Sequence, residues 1–160
     1  MTNRILNTFE EGKQKGAKKL AVLIDPDKMR LQSLDKLLEK AVAAKVDYFF
    51  VGGSLIVNDV MDYCLDAIRE VSNIPSVLFP GSPQQVNPKA DALLFLSLIS
   101  GRNADLLIGQ QVLSAPMLRR SGLETIPTGY MLIDGGAPTT ASYISGTQPI
   151  PANKDEIAFC

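Results

Sequence analysis

Runs of apolar residues alternate along the chain with segments whose apolar positions recur at helical spacing. The first run, 19–25, is apolar on both faces and closes on a carboxylate, which is typical of a strand buried in a parallel sheet. In the segment 33–45 that follows, the apolar residues fall on one helical face, and Ser33 is a candidate N-cap. A short amphipathic helix at 2–15 precedes this first strand–helix unit.

The same alternation continues to the end of the chain. Further strands are predicted at 48–51, 76–79, 92–99 and 125–134, and further helices at 57–68, 105–120 and from 154 onwards. The stretch 83–88 is too short and too proline-bounded for a full helix, and Pro116 is expected to end or kink its helix. The pattern predicts an α/β fold with a parallel sheet, with 1–160 as a single domain.

Two architectures are built from such repeats, the open doubly wound sheet and the closed eight-unit barrel. The 160 residues would complete a five-stranded open sheet, whereas a barrel typically needs ~250 residues. Length alone therefore favours the open sheet. Strand order separates the two architectures, because an open sheet would show an order such as 3-2-1-4-5.

Composition narrows the classes of function. Sixteen Lys and Arg against 17 Asp and Glu give a net charge of −1, which excludes a strongly basic nucleic-acid binder. The chain contains no histidine, so histidine acid–base chemistry and histidine-ligated zinc are excluded. A buried Cys64 and an exposed Cys160 at the chain end fit a reduced, cytoplasmic setting better than a disulfide framework. No apolar run approaches the ~20 residues of a spanning helix.

Polar residues and glycines follow the predicted strands, at the edge where parallel-sheet enzymes place their sites. Asp25 and Asp27, separated by a proline, could hold Mg²⁺, which prefers oxygen ligands and substrate phosphates. The alternative is an Asx-type turn in which Asp27 caps the next segment, and the four-residue pattern alone favours it.

The later strand ends carry the same ambiguity. Gly53 and Ser54 allow close backbone approach and supply a hydroxyl, but an ordinary strand–helix turn has the same composition. Gly81 and Ser82 can be interpreted in both ways too, and core packing is the default for Tyr130 inside a strand. Neither a P-loop nor a GxGxxG fingerprint is present, so nucleotide binding has no positive signal.

Six short segments nevertheless form a specific series. They are LIDPDK at 23–28, FVGGS at 50–54, LFPGS at 78–82, ALLFLSLISGRN at 92–103, TGY at 128–130 and ASYIS at 141–145. Together and in this order they resemble the geranylgeranylglyceryl phosphate synthase family, which includes the PcrB-type heptaprenylglyceryl phosphate synthases. The resemblance runs through nearly the whole chain.

The resemblance implies a TIM-barrel prenyltransferase that joins a polyprenyl diphosphate to sn-glycerol 1-phosphate and so forms an ether lipid precursor. It implies Mg²⁺ on Asp25 and Ser54, which reverses the turn interpretation for both residues. Apolar residues at the barrel mouth would hold the prenyl tail, and the lipid substrate would allow peripheral membrane contact. The substrate-binding residues that it implies are Lys28, Gly53, Gly81, Ser82 and Tyr130.

The length conflicts with a complete barrel of this family, because only about the first five of eight strand–helix units are predicted. The main glycerol-phosphate loops and the catalytic base are expected beyond Cys160, so no catalytic residue is assigned. The chain is then a fragment of a synthase or a naturally short form. The alternative function is an inactive remnant that binds prenyl diphosphate or a partner chain without turnover. Exposed edges on strands one and five predict poor solubility or homo-oligomers.

Overall fold

The computed structural model describes residues 4–28, 31–54 and 60–160, and the side chains of residues 28, 31 and 32 lie outside that description. Its helices and strands are α1 (Arg4–Gln14), β1 (Ala21–Ile24), α2 (Leu31–Ala43), β2 (Tyr48–Val51), α3 (Met61–Val71), β3 (Ser76–Leu78), β4 (Ala92–Leu98), α4 (Gln110–Ser121), β5 (Glu124–Tyr130), α5 (Thr140–Ser145) and α6 (Lys154–Phe159). Short 3₁₀ turns lie at Pro26–Lys28 and Pro83–Gln85, and a π-helical turn at Asp105–Gly109 precedes α4. The predicted alternation of strands and helices is confirmed.

The strands form one parallel five-stranded sheet in the order β1-β2-β3-β4-β5. This order excludes the open sheet that length alone favoured, because an open doubly wound sheet reverses its strand order partway across. Sequential order is that of a βα barrel. β4 and β5 share seven residue pairs, whereas β3 and β4 share two, so the carboxyl half of β4 extends beyond β3.

Two apolar layers cover opposite faces of this sheet, because strand side chains alternate in direction. One layer packs strand residues such as Phe49 and Leu93 against α2, α3 and α4, and Cys64 is buried within it. Burial raises the pKa of the Cys64 thiol, as expected of a core cysteine. The second layer joins Val77 and Leu94 to Ile5 of α1, and corresponds to the interior of a barrel.

A buried carboxylate anchors α1 beneath this second layer. Glu124 lies at the start of β5 and is 7% exposed. Its Oε2 accepts a hydrogen bond from the Ile5 amide and its Oε1 one from the Leu6 amide, both at 2.8 Å. These donors belong to the first turn of α1, which has no intrahelical acceptors for them, and a negative charge there is favourable.

We expect Glu124→Gln to lower the free energy of unfolding by about 1–2 kcal/mol, because one of the two amides would then face an NH₂ group. The midpoint and slope of urea unfolding measure this change. Glu70→Gln, on the exposed face of α3, is the matched control, with an expected effect within about 0.5 kcal/mol. Equal effects in the two variants would contradict the proposed anchoring.

The structure corrects the prediction that β1 is buried on both faces. Val22 and Ile24 pack on the helical layer, but Leu20 is 54% exposed and Leu23 is 55% exposed. The reason is position in the sheet, since β1 pairs with β2 alone among the described strands. The apolar run therefore predicted the strand correctly, but it did not indicate that β1 lies at the edge of the described sheet.

Two helix boundaries also differ from the predicted ones. α2 begins at Leu31, so Ser33 lies within its first turn and is not the N-cap. α4 continues past Pro116 to Ser121. The hydrogen bond that proline cannot donate falls on the solvent side of the helix, where both Pro116 and Val112 are exposed, so water can satisfy the carbonyl.

The remaining differences concern segment ends. The predicted start of the third helix at Val57 lies outside the described residues, and α3 is described from Met61. β5 ends at Tyr130, and Ile133 instead forms an isolated parallel bridge with Ile150. None of the described helices is long and apolar enough to cross a membrane.

Candidate functional site

The carboxyl ends of β1 and β2 bring a carboxylate and a glycine into contact. Asp25 directly follows β1 and is half-buried, and its Oδ1 accepts a hydrogen bond from the Asp27 amide at 3.3 Å. A Cβ atom on Gly53 would lie 2.9 Å from Asp25 Oδ1 and 3.2 Å from Oδ2. An Asx-type turn at Asp25 and a role of Asp25 as a metal ligand are therefore compatible. The turn itself directs the carboxylate towards the loop that follows β2.

The β2 and β3 loops are packed backbone to backbone through glycines. Gly52 has φ +150°, and a Cβ atom there would lie 2.1 Å from the Phe79 carbonyl oxygen. A Cβ atom on Gly81 would lie 2.4 Å from the Gly53 carbonyl oxygen and 2.8 Å from that of Ser54. Side chains at these positions would force the two loops apart. Glycines are needed here because the two backbones approach each other closely, not because the loops must be flexible.

A pocket collects most of the residues implied by the resemblance. Its wall includes Gly53, Ser54, Gly81, Ser82 and Tyr130. Asp25 reaches this wall through its contact with Gly53. The structure thus brings together six of the seven predicted site residues.

Tyr130 closes β5 and packs edge to face on Phe79, with ring centroids 5.8 Å apart, so it contributes to packing and to the pocket wall. Lys28 ends the 3₁₀ turn that follows Asp25, and its side chain lies outside the described residues.

The pocket continues as an apolar groove between α4 and the Pro83–Gln85 turn. A helix covers each of the other three strand connections, but β3 and β4 are joined through this single turn. The face of β4 that carries Leu93 and Phe95 is therefore left to border the groove. The groove's other apolar residues include Val86, Leu94, Leu96, Leu98, Leu106, Leu118 and Ile144.

Sequence reasoning missed two glutamines at this site. Gln85, 7% exposed, donates from Nε2 to the Gly53 carbonyl at 2.8 Å and accepts at Oε1 from the Gly81 amide at 3.1 Å. Gln111 lies on the groove wall and donates to the Leu106 carbonyl at 3.1 Å, while its buried Oε1 has no partner among the described residues. No composition or spacing signal marks either residue, because Gln85 also bonds a carbonyl 32 residues away, at Gly53, and Gln111 also bonds one 15 residues away, at Leu96.

An ion network fixes the segment between the turn and β4. Lys89 Nζ lies 2.7 Å from Asp66 Oδ2 and 3.0 Å from Asp62 Oδ2, both on α3. Hydrogen bonds to Asp66 and then to Asp62 raise the pKa of Lys89. The network is exposed, and it links the segment between the turn and β4 to α3.

The donor set fits a hard cation. Within the described ranges, no group of three or more Cys, Asp or Glu residues is placed to hold a metal. The Asp25 carboxylate lies against Gly53 of the pocket wall, and the neighbouring Ser54 carries a hydroxyl on the same loop. Mg²⁺ is commonly held by one or two carboxylates together with substrate phosphates, so this sparse oxygen set suits it.

Comparison with known proteins supports the same family along the sequence. The sequence profile of the PcrB family matches residues 14–160. A protein named geranylgeranylglyceryl phosphate synthase from Chitinophaga pinensis is 59% identical over 160 residues, which are 100% of this chain and 64% of that protein. Its namesake from Spirosoma linguale is 51% identical over 97% of this chain and 62% of its own length.

Solved structures give the same result for the fold. The (S)-3-O-geranylgeranylglyceryl phosphate synthase of Thermoplasma acidophilum, in complex with its substrate sn-glycerol-1-phosphate, superposes with a TM-score of 0.85 at 30% identity. The match covers 99% of this chain and 63% of that structure, so the chain spans less than two thirds of the length of each of these three relatives. The five strands are thus part of a βα barrel. The chain belongs to the PcrB family.

Proposed function

We propose that this chain carries the metal site and the prenyl pocket of a prenyltransferase that acts on a polyprenyl diphosphate and sn-glycerol 1-phosphate. One observation carries the proposal. An apolar groove opens directly onto a polar cluster formed by Asp25, Gly53, Ser54 and Gly81. This arrangement suits an amphiphile with a long apolar tail and an anionic head.

The groove is suited to the tail because its wall is mostly apolar, with five side chains from β4 and Leu118 from α4 among its members. Burial of a prenyl chain there would be favourable at roughly 25 cal/mol per Å² of apolar surface. At the cluster, the absence of side chains on Gly53 and Gly81 lets the β2 and β3 loops pack closely beside Asp25. Ser54 and Ser82 of these loops line the pocket where the diphosphate would lie.

Asp25 and Ser54 would hold Mg²⁺ at this end of the groove. The chemistry supplied by a bound Mg²⁺ is neutralisation of charge on the departing diphosphate. In the proposed reaction the bond between C1 of the prenyl chain and the diphosphate oxygen breaks, and diphosphate leaves with the electron pair. A hydroxyl oxygen of sn-glycerol 1-phosphate then bonds to C1 and gives up its proton to a base.

A transfer assay tests the proposal. The chain is incubated with labelled geranylgeranyl diphosphate and sn-glycerol 1-phosphate, with Mg²⁺ or with EDTA. We expect Mg²⁺-dependent formation of the ether product, or, where the base belongs to barrel units outside these 160 residues, Mg²⁺-dependent binding of geranylgeranyl diphosphate. Absence of both would contradict the proposal.

Binding without product would favour the non-catalytic alternative. That outcome is consistent with a chain that spans 64% of its Chitinophaga relative. The same assay on a chain extended to full barrel length distinguishes the two, since restored turnover would assign the base to the added units.

A further inference from the structure

Gln85 joins two loops through one side-chain amide. Its Nε2 donates to the Gly53 carbonyl at 2.8 Å, and its Oε1 accepts from the Gly81 amide at 3.1 Å. The two partners identify the ends of the amide without ambiguity, because a carbonyl can only accept and a backbone N–H can only donate. Gln85 is 7% exposed, so its side-chain amide is largely buried between the two loops.

These two partners are the glycines on which the polar cluster depends. Gly53 stands against the Asp25 carboxylate, with 2.9 Å between its Cβ position and Oδ1. Gly81 stands against the Gly53 carbonyl, with 2.4 Å between its Cβ position and that oxygen. A displacement of either glycine would therefore alter the spacing between the β1 carboxylate and the β3 loop.

We propose that Gln85 is a positioning residue that sets the distance between the Asp25–Ser54 metal site and the Gly81 loop that receives the diphosphate. The inference rests on the proposed function. Gln85 does not touch the ligand in this role. It acts by holding Gly53 and Gly81 in one arrangement, and an amide is needed because one loop offers an acceptor and the other a donor.

Three variants test the role. Gln85→Met preserves length and volume but removes both hydrogen bonds. Gln85→Glu keeps an acceptor for the Gly81 amide but, when ionised, opposes the Gly53 carbonyl with a second acceptor. Gln84→Met, at the exposed neighbouring position, is the matched control.

Two measurements are made on each variant. The first is hydrogen exchange at the Gly81 amide, and we expect exchange in Gln85→Met to be faster by at least about tenfold. The second is the Mg²⁺ concentration that half-saturates binding of geranylgeranyl diphosphate. We expect this concentration to rise about tenfold in Gln85→Met, the usual scale for loss of a residue that orients metal ligands.

Gln85→Glu adds a readout that a merely structural role would not move. A protonated carboxylic acid has one donor and one acceptor, as the glutamine amide does. The defect relative to wild type should therefore shrink as pH falls from about 8 to about 5. Wild type measured at each pH is the reference for this comparison.

The outcomes separate the two proposals. If Gln85→Met binds Mg²⁺ and geranylgeranyl diphosphate like Gln84→Met, the positioning role is wrong. If wild type binds no geranylgeranyl diphosphate, the proposed function fails, and unchanged Gly81 exchange in Gln85→Met would then overturn the loop contact as well. If Gln85→Met does not fold, the pH dependence of Gln85→Glu decides.

Discussion

Replacing Asp25 by asparagine is expected to weaken Mg²⁺-dependent binding of geranylgeranyl diphosphate by roughly a hundredfold or more. Asparagine keeps the shape of the side chain and an oxygen that can accept from the Asp27 amide, which Asp25 Oδ1 does at 3.3 Å. The negative charge is lost, and with it the one carboxylate placed against Gly53. Mg²⁺ binds through hard oxygen ligands and gains little from a neutral amide.

Calorimetric titration of Mg²⁺ at fixed geranylgeranyl diphosphate measures this effect. Asp35→Asn, on an exposed position of α2, has the same chemistry and is expected to match wild type. Urea unfolding of Asp25→Asn should show a midpoint close to that of wild type, which would separate loss of the ion from loss of the fold. An unchanged Mg²⁺ titration would remove Asp25 from the metal site.

Gly52→Ala is expected to lower the free energy of unfolding by about 3 kcal/mol or more. Two costs combine at this position. The backbone has φ +150°, which L side chains rarely adopt, and the added methyl would lie 2.1 Å from the Phe79 carbonyl oxygen. That oxygen is backbone on β3's loop, so relief requires β2 and β3 to separate at their carboxyl ends.

Chemical unfolding monitored by circular dichroism measures this loss, and absence of folded protein would be its extreme form. Gly135→Ala is the control, because its Cβ position has no heavy atom within 4 Å and no positive φ. We expect the control to stay within about 0.5 kcal/mol of wild type. Equal stability of the Gly52→Ala variant would mean that the two loops are not locked together.

The helices and strands could be predicted because the helical spacing of apolar residues and the continuous apolar runs are both clear in the sequence. The offsets from Leu34 onward specify a helix, and the run 48–51 became β2 with the predicted bounds. Periodicity could not decide between a barrel and an open sheet, because the two architectures contain the same strands and helices. The exposure of Leu23 could not be predicted either, because it depends on which strand stands beside β1.

The site was predictable where chemistry sits in a short motif. Asp25 and Gly53 belong to such motifs, and the structure places them in contact. Gln85 was not predictable, because its role arises from a carbonyl 32 residues away, and a lone glutamine in a turn carries no signal. The groove exists because a short 3₁₀ turn, and not a helix, joins β3 to β4. Sequence motifs mark residues that are present and give no sign of such a short connection.

The strand order also fixes a sequence of assembly. Each strand pairs with the strand synthesised just before it, so the sheet can grow one unit at a time as the chain leaves the ribosome. α1 is the exception, because its first amides bond to Glu124, 119 residues further along the chain. α1 therefore docks only after a residue made 119 positions later, and its docking reports that β5 is in place.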